Sequence, residues 1–391
     1  MADWSLYART PGPLYASNGG LPLSSASVTV RHLGVSAGIV TTPYTPQAWG
    51  RLGPSAGVEL WRNGRREFGG LITERRLTWD AASAQALIKL SCLGDEQVLA
   101  DRLVFPEPGK APDDQQPADY WTFTGTPSAA MLRLISDQAG PTCLADRRVP
   151  GLTVAQDPGV GAPRAWQGLF TGLLDTLAVF SVSSGSDLGV RVTPAAGGGL
   201  LASLFVPRDL TASIRFSADL SNLVGLDYVE TAPTVTDSVA AGQGDLHLRL
   251  RRYAATSGPL ALSWGRRIWR YVDRRDTADV ADLDQANADE IADGAPTVSL
   301  AVDLTDSQAA KYGRDWGLGD KITIYVGLPG QAKVATVSDV VREIRFDVAD
   351  TGAETLRPAI GTADAKAVIP PPSIEQLAAV GRSLTGLITR K

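Results

Sequence analysis

The chain has 391 residues, which is enough for two or three domains at about 100–200 residues each. Hydrophobic residues make up 44% and charged residues 20%, which excludes a disordered chain, because disorder needs low hydrophobicity and high charge. The formal net charge of −5 argues against a protein whose main task is to bind nucleic acid, since phosphate contacts need a basic surface.

Targeting and metal-binding signals are missing from the sequence. The first residues include Asp3 and no apolar signal-peptide core, and the most apolar segment, residues 169–180, is too short to span a bilayer, so we expect no membrane insertion. The two cysteines, Cys92 and Cys143, and the two histidines are not clustered. We therefore expect buried thiols, no metal and no cofactor.

Strands dominate the first hundred residues. Segments 27–35, 57–61, 68–79 and 87–93 have strand patterns, and Asn63-Gly64 is typical of a tight hairpin turn. Residues 106–119 contain four prolines and four acidic residues, which predicts an exposed loop.

Two helices are predicted next. Thr126 and Pro127 are a typical cap and first residue of a helix that ends before Gly140. A second helix is predicted from about residue 165, because apolar residues recur there at intervals of three and four. They are Trp166, Leu169, Phe170, Leu173, Leu174 and Leu177.

Strands return in the second half of the chain. They are predicted at 189–192, 200–206, 212–216, 224–230, 245–252, 297–302, 321–326, 333–347 and 355–360. A short helix over 277–292 interrupts them. This order predicts a mainly β fold with inserted helices, and it favours antiparallel barrels over a βαβ sheet.

No catalytic site is predicted. Residues 34–38 and 53–57 match the serine-esterase pattern G-x-S-x-G, which needs a helix directly after the serine. Pro43 and Pro46 follow Ser36, and a strand-like segment follows Ser55. We therefore interpret both serines as loop residues.

The densest charged segment is 264–276, with five arginines and three aromatic residues. It could bind nucleic acid through arginines and stacked rings. Alternatively, its arginines pair with its own aspartates and attach a strand to its neighbours or to another subunit, which the acidic net charge favours. The residues predicted to act in this way are Arg266, Arg267, Asp273, Arg274, Arg275 and Asp276.

A terminal helix is predicted over 373–388, after three consecutive prolines. Its apolar seam consists of Ile374, Leu377, Gly381, Leu384 and Ile388. The helix could fold back on its own domain, but we favour contact with a neighbouring subunit or protein, because a proline linker carries a segment outward.

Several segments together resemble one family. They are FGGLITE (68–74), LGDEQVLADRLVFP (93–106), PRDLTASIRFSADLSNL (207–223), GQGD (242–245), WGRR (264–267), VDRRD (272–276), YGRDWGLGDKI (312–322) and RPAIGT (357–362). In this order they are similar to the hub-like minor tail proteins of siphoviruses that infect actinobacteria.

The resemblance implies a structural function in the virion. Such proteins form the tail-tip or baseplate hub of a viral tail, with two tail-tube-like antiparallel β-barrel domains and smaller inserted domains. The implied assembly is a homotrimer whose six barrels match a hexameric tube or distal tail protein and whose threefold symmetry suits a spike or fibre. It frames a channel for the tape measure protein and then for DNA during ejection, without specific DNA binding. The chain would be made in the host cytoplasm and reside in the phage tail tip.

Five parts are expected along the chain. They are a first barrel (1–105), an inserted α+β domain (106–210), strands that return to the barrel region (211–275), a second barrel region (276–362), and a proline linker with the terminal helix (363–391). The alternative functions are a receptor- or carbohydrate-binding minor tail protein, for which nine Trp and nine Tyr could provide sugar platforms, and a tail-associated cell-wall hydrolase.

Overall fold

The computed structural model describes residues 2–10, 17–81, 85–304 and 310–361. The helix predicted over 373–388, with Ile374, Leu377, Gly381, Leu384 and Ile388, lies outside these described residues.

The described chain is mainly β, with few helices, as expected. The strands are β1 (Trp4–Arg9), β2 (Ser17–Leu21), β3 (Ser25–Arg31), β4 (Ala37–Pro43), β5 (Gly57–Arg62), β6 (Arg65–Asp80), β7 (Gln85–Gly94), β8 (Trp121–Gly125), β9 (Leu152–Val154), β10 (Arg164–Gly168), β11 (Gly189–Pro194), β12 (Leu200–Phe205), β13 (Arg215–Phe216), β14 (Leu223–Thr231), β15 (Asp237–Ala241), β16 (Arg251–Ala255), β17 (Trp269–Asp273), β18 (Thr297–Leu304), β19 (Lys321–Val326), β20 (Ala335–Val348) and β21 (Glu354–Gly361). The helices are α1 (Pro46–Arg51), α2 (Gln97–Ala100), α3 (Pro127–Gln138), α4 (Leu173–Ser183), α5 (Pro259–Ser263) and α6 (Val280–Asp293).

The chain divides into two compact units. The first unit contains the described residues of Met1–Leu226 and Val302–Ile360, and the second contains Asp227–Ala301. The chain leaves the first unit within β14 and re-enters it within β18.

The largest sheet is an open path of strands. Its order is β14-β18-β21-β20-β3-β4-β7-β6-β5-β1-β2, with β19 on β20 and β13 on β19. A closed barrel needs a ladder that joins the ends of such a path, and the described strands contain none. The sequence predicted two barrels, whereas the structure has one large sheet because β20 is shared. The residues of β20 up to Val340 pair with β19, and its later residues pair with β3 and β21.

A smaller α+β region follows α2 in the first unit. It contains the antiparallel pair β8–β10 and the three-stranded sheet β11-β12-β9, and α3 packs against β8, β9, β12 and α4. Their shared core is aromatic at its centre, where the Trp166 and Phe180 rings lie 4.6 Å apart. The loop predicted over 106–119 contains no helix or strand.

Turns and caps follow the local sequence. Asn63 and Gly64 both have positive φ between β5 and β6, which confirms the predicted hairpin turn. Thr126 accepts a hydrogen bond from the Ala129 amide, and Pro127 is the first residue of α3, as predicted.

Three predicted elements were wrong. The strand predicted over 212–216 begins only at Arg215, after a turn. Trp166 lies on β10, and α4 begins only at Leu173, because Gly168 and Gly172 interrupt the apolar pattern and β10 pairs with β8. The strand predicted over 245–252 begins only at Arg251, after a short 3-10 turn.

Candidate functional site

The second unit contains the charged segment 264–276, which forms β17 and its flanks. Strand β15 lies between β16 and β17, and α6 covers one face of this sheet. Leu283 of α6 packs against Ala240 and Val272 on that face. Because side chains alternate along a strand, the residues next to these point to the opposite face.

The opposite face is aromatic and exposed. Tyr253 and Tyr271 flank Val239 of the central strand, and the Tyr253 and Trp269 rings stack 5.5 Å apart. Their exposed fractions are 52% for Tyr253, 57% for Trp269 and 57% for Tyr271. We call these three residues the aromatic face.

Arg267 joins this face to the buried end of β15. Its Nε donates to Oδ2 of Asp237 at 2.8 Å, and its Nη2 donates to Oδ1. Asp237 is fully buried and also accepts hydrogen bonds from the Tyr253 hydroxyl (2.6 Å) and the Thr236 hydroxyl (2.7 Å). The hydrogen bonds from Arg267 hold the pKa of Asp237 well below its usual range.

The other residues singled out in segment 264–276 pair with residues closer in the sequence or form no ion pair. Asp273 accepts from Arg249 and lies 3.2 Å from Nε of Arg275. Arg274 donates from Nε to Asp276 at 3.1 Å, which lowers the pKa of Asp276. Arg266 is exposed and takes part in none of the ion pairs of the described residues.

These pairs set the charge that the surface presents. Arg249 and Arg267 direct their hydrogen bonds at Asp273 and Asp237, so their positive charge is largely neutralised. Arg266, by contrast, is exposed without an ion pair among the described residues, so the face combines exposed Tyr and Trp rings with paired and unpaired arginines.

The serines of the two G-x-S-x-G matches lie outside helices and strands, as the interpretation of both as loop residues predicted. Ser36 is buried and its hydroxyl accepts from the Arg31 amide at 3.2 Å, and β4 begins at the next residue. Ser55 lies in a turn with φ of 63° before β5. Neither serine precedes the helix that this nucleophile motif requires. Both cysteines are free and buried, as predicted.

Sequence reasoning missed a buried charge cluster in the first unit. Arg9 donates two hydrogen bonds to Asp95, at 2.8 and 2.6 Å, and both side chains are fully or almost fully buried. Arg66 bonds to Asp95 at 2.6 Å and lies 3.2 Å from Glu59. A Cβ at Gly57 would lie 2.9 Å from the Arg9 guanidinium and 2.6 Å from a carbonyl oxygen, so this position requires glycine. The only sequence signal for this cluster was the position of Asp95 in segment 93–106, one of the segments that resemble the tail-protein family.

No membrane-spanning helix occurs in the described ranges, since none of their helices is both long and apolar enough. The same ranges contain no group of three or more His, Cys, Asp or Glu side chains that could hold a metal ion.

The comparisons with known proteins concern nearly the whole chain. A family model described as "Siphovirus ReqiPepy6 Gp37-like protein" matches residues 23–362. No curated protein matches the sequence.

Solved structures of tail proteins share the fold. The 43 kDa tail protein of prophage MuSo2 from Shewanella oneidensis is 12% identical, with a TM-score of 0.55 over 92% of this chain and 97% of that chain. A tail protein from Neisseria meningitidis MC58 is 13% identical, with a TM-score of 0.52 over 92% of this chain and 96% of that one. Prophage tail protein gp18 from Listeria monocytogenes EGD-e is 11% identical, with a TM-score of 0.50 over 97% and 99% of the two chains.

Proposed function

We propose that this chain, which belongs to the Siphovirus ReqiPepy6 Gp37-like protein family, is a structural protein of the phage tail tip. It is made in the bacterial host and functions in the virion. The observation that carries the proposal is the match in fold to a prophage tail protein and to a second tail protein, over more than nine-tenths of both chains in each case.

The finer proposal is a trimeric hub. Three copies, each with two tail-tube-like modules, would present six modules to a hexameric tail tube or distal tail ring and threefold symmetry to a spike or fibre. The opening on the axis would pass the tape measure protein and then DNA. The net charge of −5 suits this passage, because a surface that lacks excess positive charge does not retain DNA.

The oligomeric state is the direct test. Native mass spectrometry of the purified full-length chain should give a trimer, and cryo-electron microscopy of intact tails should show three copies at the tip. A chain that remains monomeric at micromolar concentration, together with its absence from purified virions, would overturn the proposal. Binding of duplex DNA at physiological ionic strength would contradict the proposal that the axial opening passes DNA without retaining it, but it would not contradict the trimeric hub.

A second candidate function is recognition of a neutral saccharide by the aromatic face. The observation that favours it is the exposure of more than half of Tyr253, Trp269 and Tyr271 beside paired charges. On an array of neutral oligosaccharides, Trp269→Ala should lose a signal that the wild type gives. Trp79→Ala is the matched control, because Trp79 is 71% exposed on β6 in the first unit. No wild-type signal, or equal loss in both variants, would exclude this function.

A further inference from the structure

A cavity of about 160 Å³ with a partly charged lining lies in the first unit, which does not contain the aromatic face. Strands β3, β6 and β11 and the loop 312–318 bound it. Its charged lining residues are four arginines and two glutamates: Arg31, Arg65, Arg66, Arg191, Glu67 and Glu96. The lining therefore carries an excess of positive charge in a protein whose net charge is negative.

Three of the four arginines have a carboxylate partner. Arg31 bonds to Glu343 at 2.9 Å, and Arg66 bonds to Asp95. Arg65 lies 3.6 Å from Glu67, but Glu67 also accepts a hydrogen bond from the Tyr312 hydroxyl at 2.8 Å. The carboxylate of Glu67 therefore already interacts with both Arg65 and Tyr312.

Arg191 differs from the other three. Its guanidinium stacks over the Phe205 ring, 4.1 Å from the centroid, and donates to the Leu318 carbonyl at 3.3 Å. It forms no ion pair with any carboxylate of the described residues. Burial, and then the nearby charge of Arg65, lower the pKa of Arg191, whereas the charges of Asp320 and Glu67 act in the opposite direction without forming an ion pair with it. A largely buried cation beside a second cation is unfavourable unless an anion compensates for both.

Glu96 does not supply that compensation. One of its carboxylate oxygens, Oε2, is buried without a hydrogen-bond partner in the described structure. Burial, followed by the charge of Asp95, raises the pKa of Glu96 to about 7, so a large fraction of its carboxyl groups is protonated near neutral pH.

We propose that this cavity is a binding site for a small oxyanion, a phosphate or a carboxylate, which Arg191 and Arg65 bind. A guanidinium offers two parallel N–H groups that match the oxygens of either group. The cavity volume of about 160 Å³ is many times the roughly 10–15 Å³ that a cavity needs in order to hold one water molecule, which admits an ion of this size. The site goes beyond the tail-hub proposal and does not depend on it.

Titration of the full-length protein with two probes tests this site. Inorganic phosphate and glutarate are each added at constant ionic strength, and the melting temperature and heat of binding are recorded. We expect a saturable rise in melting temperature that chloride does not produce. A stronger effect of phosphate indicates a free ion as the natural ligand, and a stronger effect of glutarate indicates a carboxylate such as an acidic side chain.

Three variants make the test specific. Arg191→Gln should weaken binding at least tenfold, and Arg65→Gln should also weaken it. The Arg65 side chain is 44% exposed, so this second variant is expected to fold if the first does not. Arg215→Gln is the matched control, because Arg215 is an exposed arginine on β13 of the same unit. The proposal is overturned if neither probe binds the wild type saturably, or if the folded cavity variants bind as well as Arg215→Gln does.

Discussion

Replacing Arg9 by Met should destabilise the first unit strongly. Arg9, Arg66, Asp95 and Glu59 form a buried cluster with two positive and two negative charges. Loss of Arg9 removes both of its bonds to Asp95 and leaves one uncompensated negative charge. Breaking a buried ion pair in this way costs about 3–5 kcal/mol of unfolding free energy. Methionine keeps much of the side-chain volume, so the change reports mainly on charge.

The double variant separates charge imbalance from lost packing. Asp95→Asn alone leaves the opposite imbalance and should cost a similar amount. Arg9→Met with Asp95→Asn leaves the neutral pair Arg66 and Glu59, which lie 3.2 Å apart. The double variant should therefore be less destabilised than the sum of the single variants, by about 2–3 kcal/mol.

Urea unfolding followed by tryptophan fluorescence measures these differences. Arg76→Met is the control, because Arg76 pairs with Glu74 at a site where their side chains are 65% and 53% exposed. An exposed pair contributes only about 0–1 kcal/mol. If Arg9→Met costs no more than the control, or if the effects of the two cluster substitutions are additive, the buried charge cluster does not stabilise this unit.

Three further predictions concern single sites. Arg267→Gln should lower the melting temperature of the second unit and Arg266→Gln should not, because only Arg267 neutralises the buried Asp237; equal effects in differential scanning calorimetry would contradict this. The folded-state pKa of Glu96 is raised to about 7, so its contribution to stability is greatest in acid and is lost as pH rises towards 7. Among its neighbours, Asp95 raises this pKa and Arg66 lowers it. The melting temperature of Glu96→Gln relative to wild type should therefore rise between pH 5 and pH 8. A difference that stays constant over this range would refute the raised pKa of Glu96. Cys92 should resist alkylation in the folded protein, because burial raises its pKa to about 12, and fast labelling at pH 8 would show that its strand opens.

Local chemistry could be predicted from the sequence where neighbours in the chain decide the structure. The Asn63-Gly64 turn and the Thr126 cap depend on side chains within a few residues, and both are confirmed. The apolar pattern from Trp166 was misleading, because it runs across three different structures: Trp166 lies on β10, Leu169 and Phe170 are exposed between the elements, and only the leucines from Leu173 lie on α4. Its partner, β8, is about forty residues away, and no local signal reveals that pairing.

The candidate sites were harder to predict for the same reason. Arg267 was singled out, but its partner Asp237 lies 30 residues earlier and was not. Arg9 and Asp95 are 86 residues apart, and neither belongs to a charge-rich segment. The cavity combines β6, β11 and the loop 312–318, so only the folded chain brings Arg65 and Arg191 together.

The pairing of β3 with β20 has a consequence for synthesis. Arg31 and Glu343, which pair across these strands, are 312 residues apart. At about 5–20 residues per second, β3 leaves the ribosome roughly 15–60 s before its partner is made. During that interval β4 occupies one side of β3, and the other side presents free backbone groups to any strand nearby. Neighbouring nascent chains on one messenger RNA therefore each present the same unpaired edge of β3 until β20 is made, and such edges can pair with one another.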